Sequence, residues 1–168
     1  MPDKKSSILD SARRALKIEA KGLGELIACL DGELGDAIAK AVDMIAASKG
    51  RVVVSGMGQS GHIRRKIAST LASTGTPAMF VHPAEASHGD LGMITTQDVV
   101  IMISNSGESA ELRAILNYAK RFAVPLIAMT SRGESSLAQA ATVVLLLPAS
   151  PEACPIGLAP TTSTLLQL

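Results

Sequence analysis

Apolar residues recur at three- and four-residue spacing through the first fifty positions, then give way to short unbroken apolar runs. The first pattern predicts two helices. One covers 7–30, and a second carries Leu34, Ile38, Ala41, Val42 and Ile45, with Asp31-Gly32 as the breaker and Gly50 closing the pair. Beyond Gly50, β-rich runs at 51–55, 78–81, 99–104, 126–130 and 142–147 alternate with helical patterns near 60–73, 108–122 and 135–140. Runs such as Val99-Val100-Ile101-Met102-Ile103 and Val143-Val144-Leu145-Leu146-Leu147 do not alternate, as expected for strands covered on both faces. The pattern therefore predicts an α/β fold: a three-layer αβα sandwich around a five-stranded parallel sheet, wound in the flavodoxin-like order. Helices at 7–49 would precede an α/β core at 50–168, all in one domain. In such a sheet, ligands bind beyond the carboxyl ends of the strands, so the turns after the strands are where function is expected. After a Pro-rich stretch at 148–160, Thr161-Thr162-Ser163-Thr164 reads as a helix start with only four residues following, as though the chain were cut within an element.

Composition narrows the function classes. The 168 residues are 47% hydrophobic and carry a net charge of +1, which suits a packed globular domain. Sixteen basic residues nearly balance fifteen acidic ones, and Phe80, Tyr118 and Phe122 are the only aromatics. Neither a basic face nor stacking platforms are available for nucleic acid. The amino terminus lacks the apolar segment of a signal peptide, and no apolar run approaches membrane-spanning length, so a soluble cytoplasmic protein is expected. Cys29 and Cys154 are isolated and there are three histidines, so no disulfide framework or metal site is expected. Cys29 sits at an apolar position of the first helix and reads as a small buried hydrophobe.

Two turns carry the chemistry. The first strand ends in Ser55-Gly56-Met57-Gly58-Gln59-Ser60-Gly61, which matches Gly-x-Gly-x-x-Gly between a strand and a helix. A dinucleotide site also needs an acid at the end of the second strand, yet that strand ends Phe80-Val81-His82 and the nearest acid is Glu85 in the following loop. Nicotinamide binding is therefore disfavoured, while the capacity to bring an anion against backbone amides at a helix start remains. The third strand ends in Ser104-Asn105-Ser106-Gly107-Glu108-Ser109. Capping by Asn105 with Glu108 accounts for two of these residues. Three hydroxyls in one turn suit a neutral cage for phosphate oxygens, with the amides supplying the positive potential.

These motifs, together with Val81-His82-Pro83, His88-Gly89-Asp90-Leu91-Gly92-Met93, Glu152-Ala153-Cys154-Pro155 and Pro160-Thr161, resemble the arabinose-5-phosphate isomerases of the sugar isomerase (SIS) family over nearly the whole chain. The resemblance implies interconversion of D-ribulose 5-phosphate and D-arabinose 5-phosphate, the first step toward the lipopolysaccharide sugar 3-deoxy-D-manno-octulosonate. It also implies a homotetramer with active sites at subunit contacts, and a pair of CBS domains after the SIS domain that this chain lacks. Such an isomerisation moves a proton through an enediolate and needs no redox cofactor.

By motif match, Glu111 and Glu152 are implied as acid and base, with His88 able to move a proton or hold a hydroxyl. Ser104, Asn105, Ser106 and Ser109 would hold the phosphate, with Gly58, Ser60 and Thr161 beside the sugar. His62 reads as structural, and His82 before Pro83 as fixing a turn. The family pattern usually has Lys where this chain has Gln59, which donates a hydrogen bond but brings no charge. Loss of such a charge from an enediolate site is worth on the order of a hundredfold in rate. Two other readings remain at this level: a non-catalytic domain that binds a sugar phosphate, and an isomerase for a different phosphosugar.

Overall fold

The computed structural model describes residues 4–56, 61–86 and 89–168. Helices α1 (Lys4–Cys29) and α2 (Glu33–Ala47) lead into β1 (Val52–Ser55), α3 (Gly61–Ser73), β2 (Ala78–Val81) and the short α4 (Pro83–Ala86). A 3-10 turn at Asp90–Met93 is followed by β3 (Val99–Ile103), α5 (Leu112–Phe122), β4 (Leu126–Thr130), α6 (Ser136–Ala140), β5 (Val143–Leu146) and α7 (Thr162–Gln167). The strands form one sheet in the order β2-β1-β3-β4-β5, and every pairing is parallel. This is the flavodoxin-like order that the pattern predicts.

Alternation along the strands builds a core on each side. Val53, Val100, Met102, Leu126 and Ala128 point to one face, where Leu112, Ile115, Leu116 and Ala119 of α5 and Leu137 of α6 cover them. Val52, Val54, Val99, Ile101, Ile103 and Ile127 point to the other, against Ala41 of α2 and Ala68 of α3. Because β1 and β3 are buried on both faces, their sequences read as unbroken apolar runs. The fifth run behaves differently: β5 pairs only with β4 and lies at the sheet edge, so Val144 and Leu145 are half-buried and Leu146 is exposed.

Two further features differ from the sequence pattern. The helix expected from 108 begins at Leu112, because Gly107 takes φ +67° and the next residues form tight turns, Leu112 N to Ser109 O and Arg113 N to Ala110 O. Cys29 is half-exposed rather than buried, because it closes α1, a helix exposed over most of its length. His82 does fix a turn: its Nδ1 accepts from Ala84 N at 3.2 Å. No helix among the described residues is long and apolar enough to cross a membrane.

A buried carboxylate anchors the entry to the central strand. Asp98, 2% exposed, accepts from Arg51 N at 2.6 Å, Thr95 N at 2.7 Å and Thr95 Oγ1 at 3.1 Å. Burial pushes this carboxyl up, but the bonds from Thr95 and Arg51 outweigh it and leave the pKa below its ordinary value. A carboxyl whose pKa is lower folded than unfolded stabilises the fold above the unfolded pKa, and that stabilisation is lost as the pH falls through the folded pKa. Asp98→Asn is therefore expected to cost about 1–3 kcal/mol at neutral pH, with the gap from wild type closing in acid below the carboxylate range. Urea unfolding at the two pH values measures both effects.

Candidate functional site

The carboxyl ends of β1, β3, β4 and β5 open on the same side of the sheet, and the turns leaving them form the candidate site. The β3 turn is built by its own side chains. Ser104 is buried, and its Oγ accepts from Gly107 N at 3.1 Å; Ser106 Oγ accepts from Glu108 N at 3.4 Å. As acceptors in these bonds, both hydroxyls keep a proton that can be donated to an anion.

The loop after β4 locks this turn in place. Asn105 O accepts from Thr130 Oγ1 at 3.1 Å, Ser131 Oγ at 2.9 Å and Ser131 N at 3.2 Å. Gly107 O accepts from Leu137 N at 3.1 Å. Gly107 lies so close to this loop that an added Cβ would stand 2.2 Å from Ser135 Oγ. Glu108 does not form a capping box with Asn105. Its carboxylate accepts from Ser136 N at 2.6 Å and Ser136 Oγ at 2.8 Å, which caps α6 and joins the two turns. The bonds from Ser136 hold the Glu108 carboxyl below its usual range.

Glu152 comes to the same place from the loop after β5. Thr161 N at 2.7 Å, Thr161 Oγ1 at 2.9 Å and Ser163 N at 3.3 Å donate to its carboxylate, as does Ser163 Oγ. Burial raises the pKa of this carboxyl, but the bonds from Ser163 and Thr161 outweigh it, so the net shift is downward. Glu152 is therefore ionised at neutral pH. Helix α1 holds this loop down: Arg14 Nη1 donates to Ala153 O at 3.4 Å, Ser150 Oγ donates to Glu25, and Gly22 packs against Thr162.

A cavity of about 290 Å³ joins these pieces; Asn105, Ser131, Arg132, Ser150, Glu152 and Ser163 line it. The structure thus brings together the predicted Asn105 and Glu152, with Thr161 bonded to the latter. Ser104 and Ser106 shape the turn that carries Asn105, and Ser109 follows it. Glu111 is not one turn into its helix as expected. It is the exposed residue preceding Leu112, where its side chain makes no capping bond, and it does not line the cavity. His62 is exposed on α3. Gly58, Gln59, Ser60 and His88 lie outside the described residues.

The sequence reading missed Ser131 and Arg132, whose position directly after β4 is the signal that could have found them. Arg132 lines the cavity and brings a cation to it, suited to an anionic ligand. It missed Ser163 as well, which lies eleven residues from its partner Glu152.

The pattern of the SIS domain matches residues 44–168. The chain is 52% identical over 160 residues to the arabinose 5-phosphate isomerase KdsD of Pseudomonas aeruginosa, covering 95% of this chain and 48% of that protein. To KdsD of Escherichia coli K12 it is 54% identical over 154 residues, covering 92% of this chain and 46% of that protein. The chain thus spans about half the length of the curated relatives it matches. Its fold also matches the structure of an E. coli CFT073 protein in complex with arabinose 5-phosphate, with a TM-score of 0.89 and 40% identity over 98% of this chain and 85% of that one.

Proposed function

Since the chain belongs to the SIS-domain family, we propose that it binds arabinose 5-phosphate and interconverts it with ribulose 5-phosphate through an enediolate. The observation that carries this reading is the meeting of the β3 serine turn and the ionised Glu152 on one cavity at the strand ends. Likeness to the KdsD enzymes, and to a structure solved with arabinose 5-phosphate, supports the choice of sugar.

In this reading the 104–109 turn holds the phosphate through hydroxyls and amides, and Glu152 takes the proton that moves between C1 and C2. Glu111 is the second acid/base group by resemblance. Gly58, Ser60, Gln59, His88 and Thr161 complete the sugar site by resemblance. Proton transfer alone achieves the isomerisation, so the chemistry calls for no cofactor. The product would feed synthesis of 3-deoxy-D-manno-octulosonate in the cytoplasm.

A homotetramer is part of the same proposal. Leu9, Leu16, Leu23 and Leu30 recur every seven residues, and all are exposed, as are Ile27 on α1 and Ile38 and Val42 on α2. An apolar stripe running along α1 and on to Leu30 just past its end suits burial against another copy.

A panel of five-, six- and seven-carbon sugar phosphates in an isomerase assay, run with isothermal titration, tests the reading. Turnover of arabinose 5-phosphate alone is the expected result. Turnover confined to longer sugars would overturn the substrate choice, and tight binding without turnover would favour a sensing domain.

A further inference from the structure

Arg64 belongs to the first turns of α3, one turn before Ala68, which packs into the core beneath the sheet. It shares that inward face and is itself buried, 1% exposed. Its side chain runs to the carboxyl end of β3, where Nη2 donates to Ile103 O at 2.9 Å. On the β1 side it lies against Gly56: a Cβ added there would stand 2.5 Å from Arg64 Nε and 2.0 Å from Ile103 O. The guanidinium is thus wedged between the ends of β1 and β3. These two strands are neighbours in the sheet, and the chain leaves them in opposite directions, β1 toward β2 and β3 toward β4. That notch is the topological switch point, where open α/β sheets bind their ligands.

We propose that Arg64 is the positioning residue of the phosphate site, fixing the end of β3 from which the Ser104–Gly107 turn springs and giving the switch point its positive charge. The proposal rests on the sugar-phosphate reading above. Taking a guanidinium out of water is costly, a cost offset by its bond to Ile103 O and, on this proposal, by an anion seated over the notch. Burial lowers the Arg64 pKa to about 10, so the group remains a cation at neutral pH. Ile103 and Ser104 are consecutive and both buried, so the bond to Ile103 O determines where the serine turn starts. The buried charge acts on the ligand through that turn and through the low-dielectric strand ends, where it is little screened by salt.

The test uses the whole chain with Arg64→Met and Arg64→Lys, titrated with arabinose 5-phosphate and with inorganic phosphate at low and moderate salt. Arg64→Met is expected to weaken both ligands about tenfold, the scale of one charge-assisted bond. Arg64→Lys, which keeps the charge, is expected to stay within about threefold of wild type, since it loses the fork geometry but not the cation. If Arg64→Met does not fold, Arg64→Gln, which keeps a donor toward Ile103 O without the charge, replaces it: about a tenfold loss of affinity supports the proposal, and wild-type affinity overturns it. Folded Arg64→Met with wild-type affinity for both ligands also overturns it, while leaving the sugar-phosphate reading intact. A wild-type chain that binds neither ligand removes both.

Discussion

Glu152→Gln is expected to reduce isomerase turnover at least a hundredfold, the lower end of what a positioned acid/base group contributes, with a much smaller change in KM. The glutamine keeps the shape of the side chain but has no lone-pair charge to receive the substrate proton. It also turns an amide donor toward a place where Thr161 and Ser163 already donate. Some loss of stability accompanies the change, because the carboxylate stands at the amino end of α7 and binds the backbone amides of Thr161 and Ser163 there. Truncation to Ala removes that cap entirely and is expected to cost about 1–2 kcal/mol. Stopped assays with arabinose 5-phosphate separate kcat from KM, and urea unfolding gives the stability. A rise in KM with kcat unchanged would assign Glu152 to binding and the cap alone.

Gly107→Ala is expected to destabilise the chain by about 2–4 kcal/mol and to weaken phosphate binding with it. Gly107 sits at φ +67°, which penalises any side chain. The added methyl would also meet Ser135 Oγ at 2.2 Å and Ser135 Cβ at 2.5 Å, and Ser135 is buried with its hydroxyl bonded to Arg132 O. Neither neighbour is the loose end of a flexible side chain, so relief requires the 104–108 turn to move away from the loop after β4. Since that contact sets the position of Asn105, stability and affinity are expected to fall together. Chemical denaturation with parallel titration of arabinose 5-phosphate measures the two. Wild-type affinity in a destabilised but folded variant would detach the turn from the phosphate site.

The sheet was legible because its central strands are buried on both faces and read as apolar runs, so the order and the location of the site at the strand ends followed from pattern alone. The 104–109 turn was legible for a similar reason: three serines and a glycine in six residues exceed what one helix cap requires. What pattern does not encode is which group a polar side chain selects. Glu108 is spaced to cap its own helix, yet the amide and hydroxyl of Ser136, twenty-eight residues on, bind it instead. Glu152 reads as a lone loop carboxylate because its partners at Thr161 and Ser163 lie beyond a Pro-rich stretch. In Arg64-Arg65-Lys66, nothing in the local sequence marks the one cation that turns inward. The exposure of Leu146 was likewise hidden, since an unbroken apolar run does not mark which of its side chains an edge strand leaves uncovered.

If the serine turn and Glu152 form one site that moves a proton between C1 and C2 of a five-carbon sugar phosphate, the moving proton resides for a time on the carboxylate, where it can exchange with solvent. Incubation of the chain with arabinose 5-phosphate in D2O, followed by proton NMR, tests this most directly. Deuterium at C2 of the recovered arabinose 5-phosphate is expected together with ribulose 5-phosphate, and neither with Glu152→Gln. Saturating binding of arabinose 5-phosphate with neither deuterium incorporated nor ribulose 5-phosphate formed would contradict it.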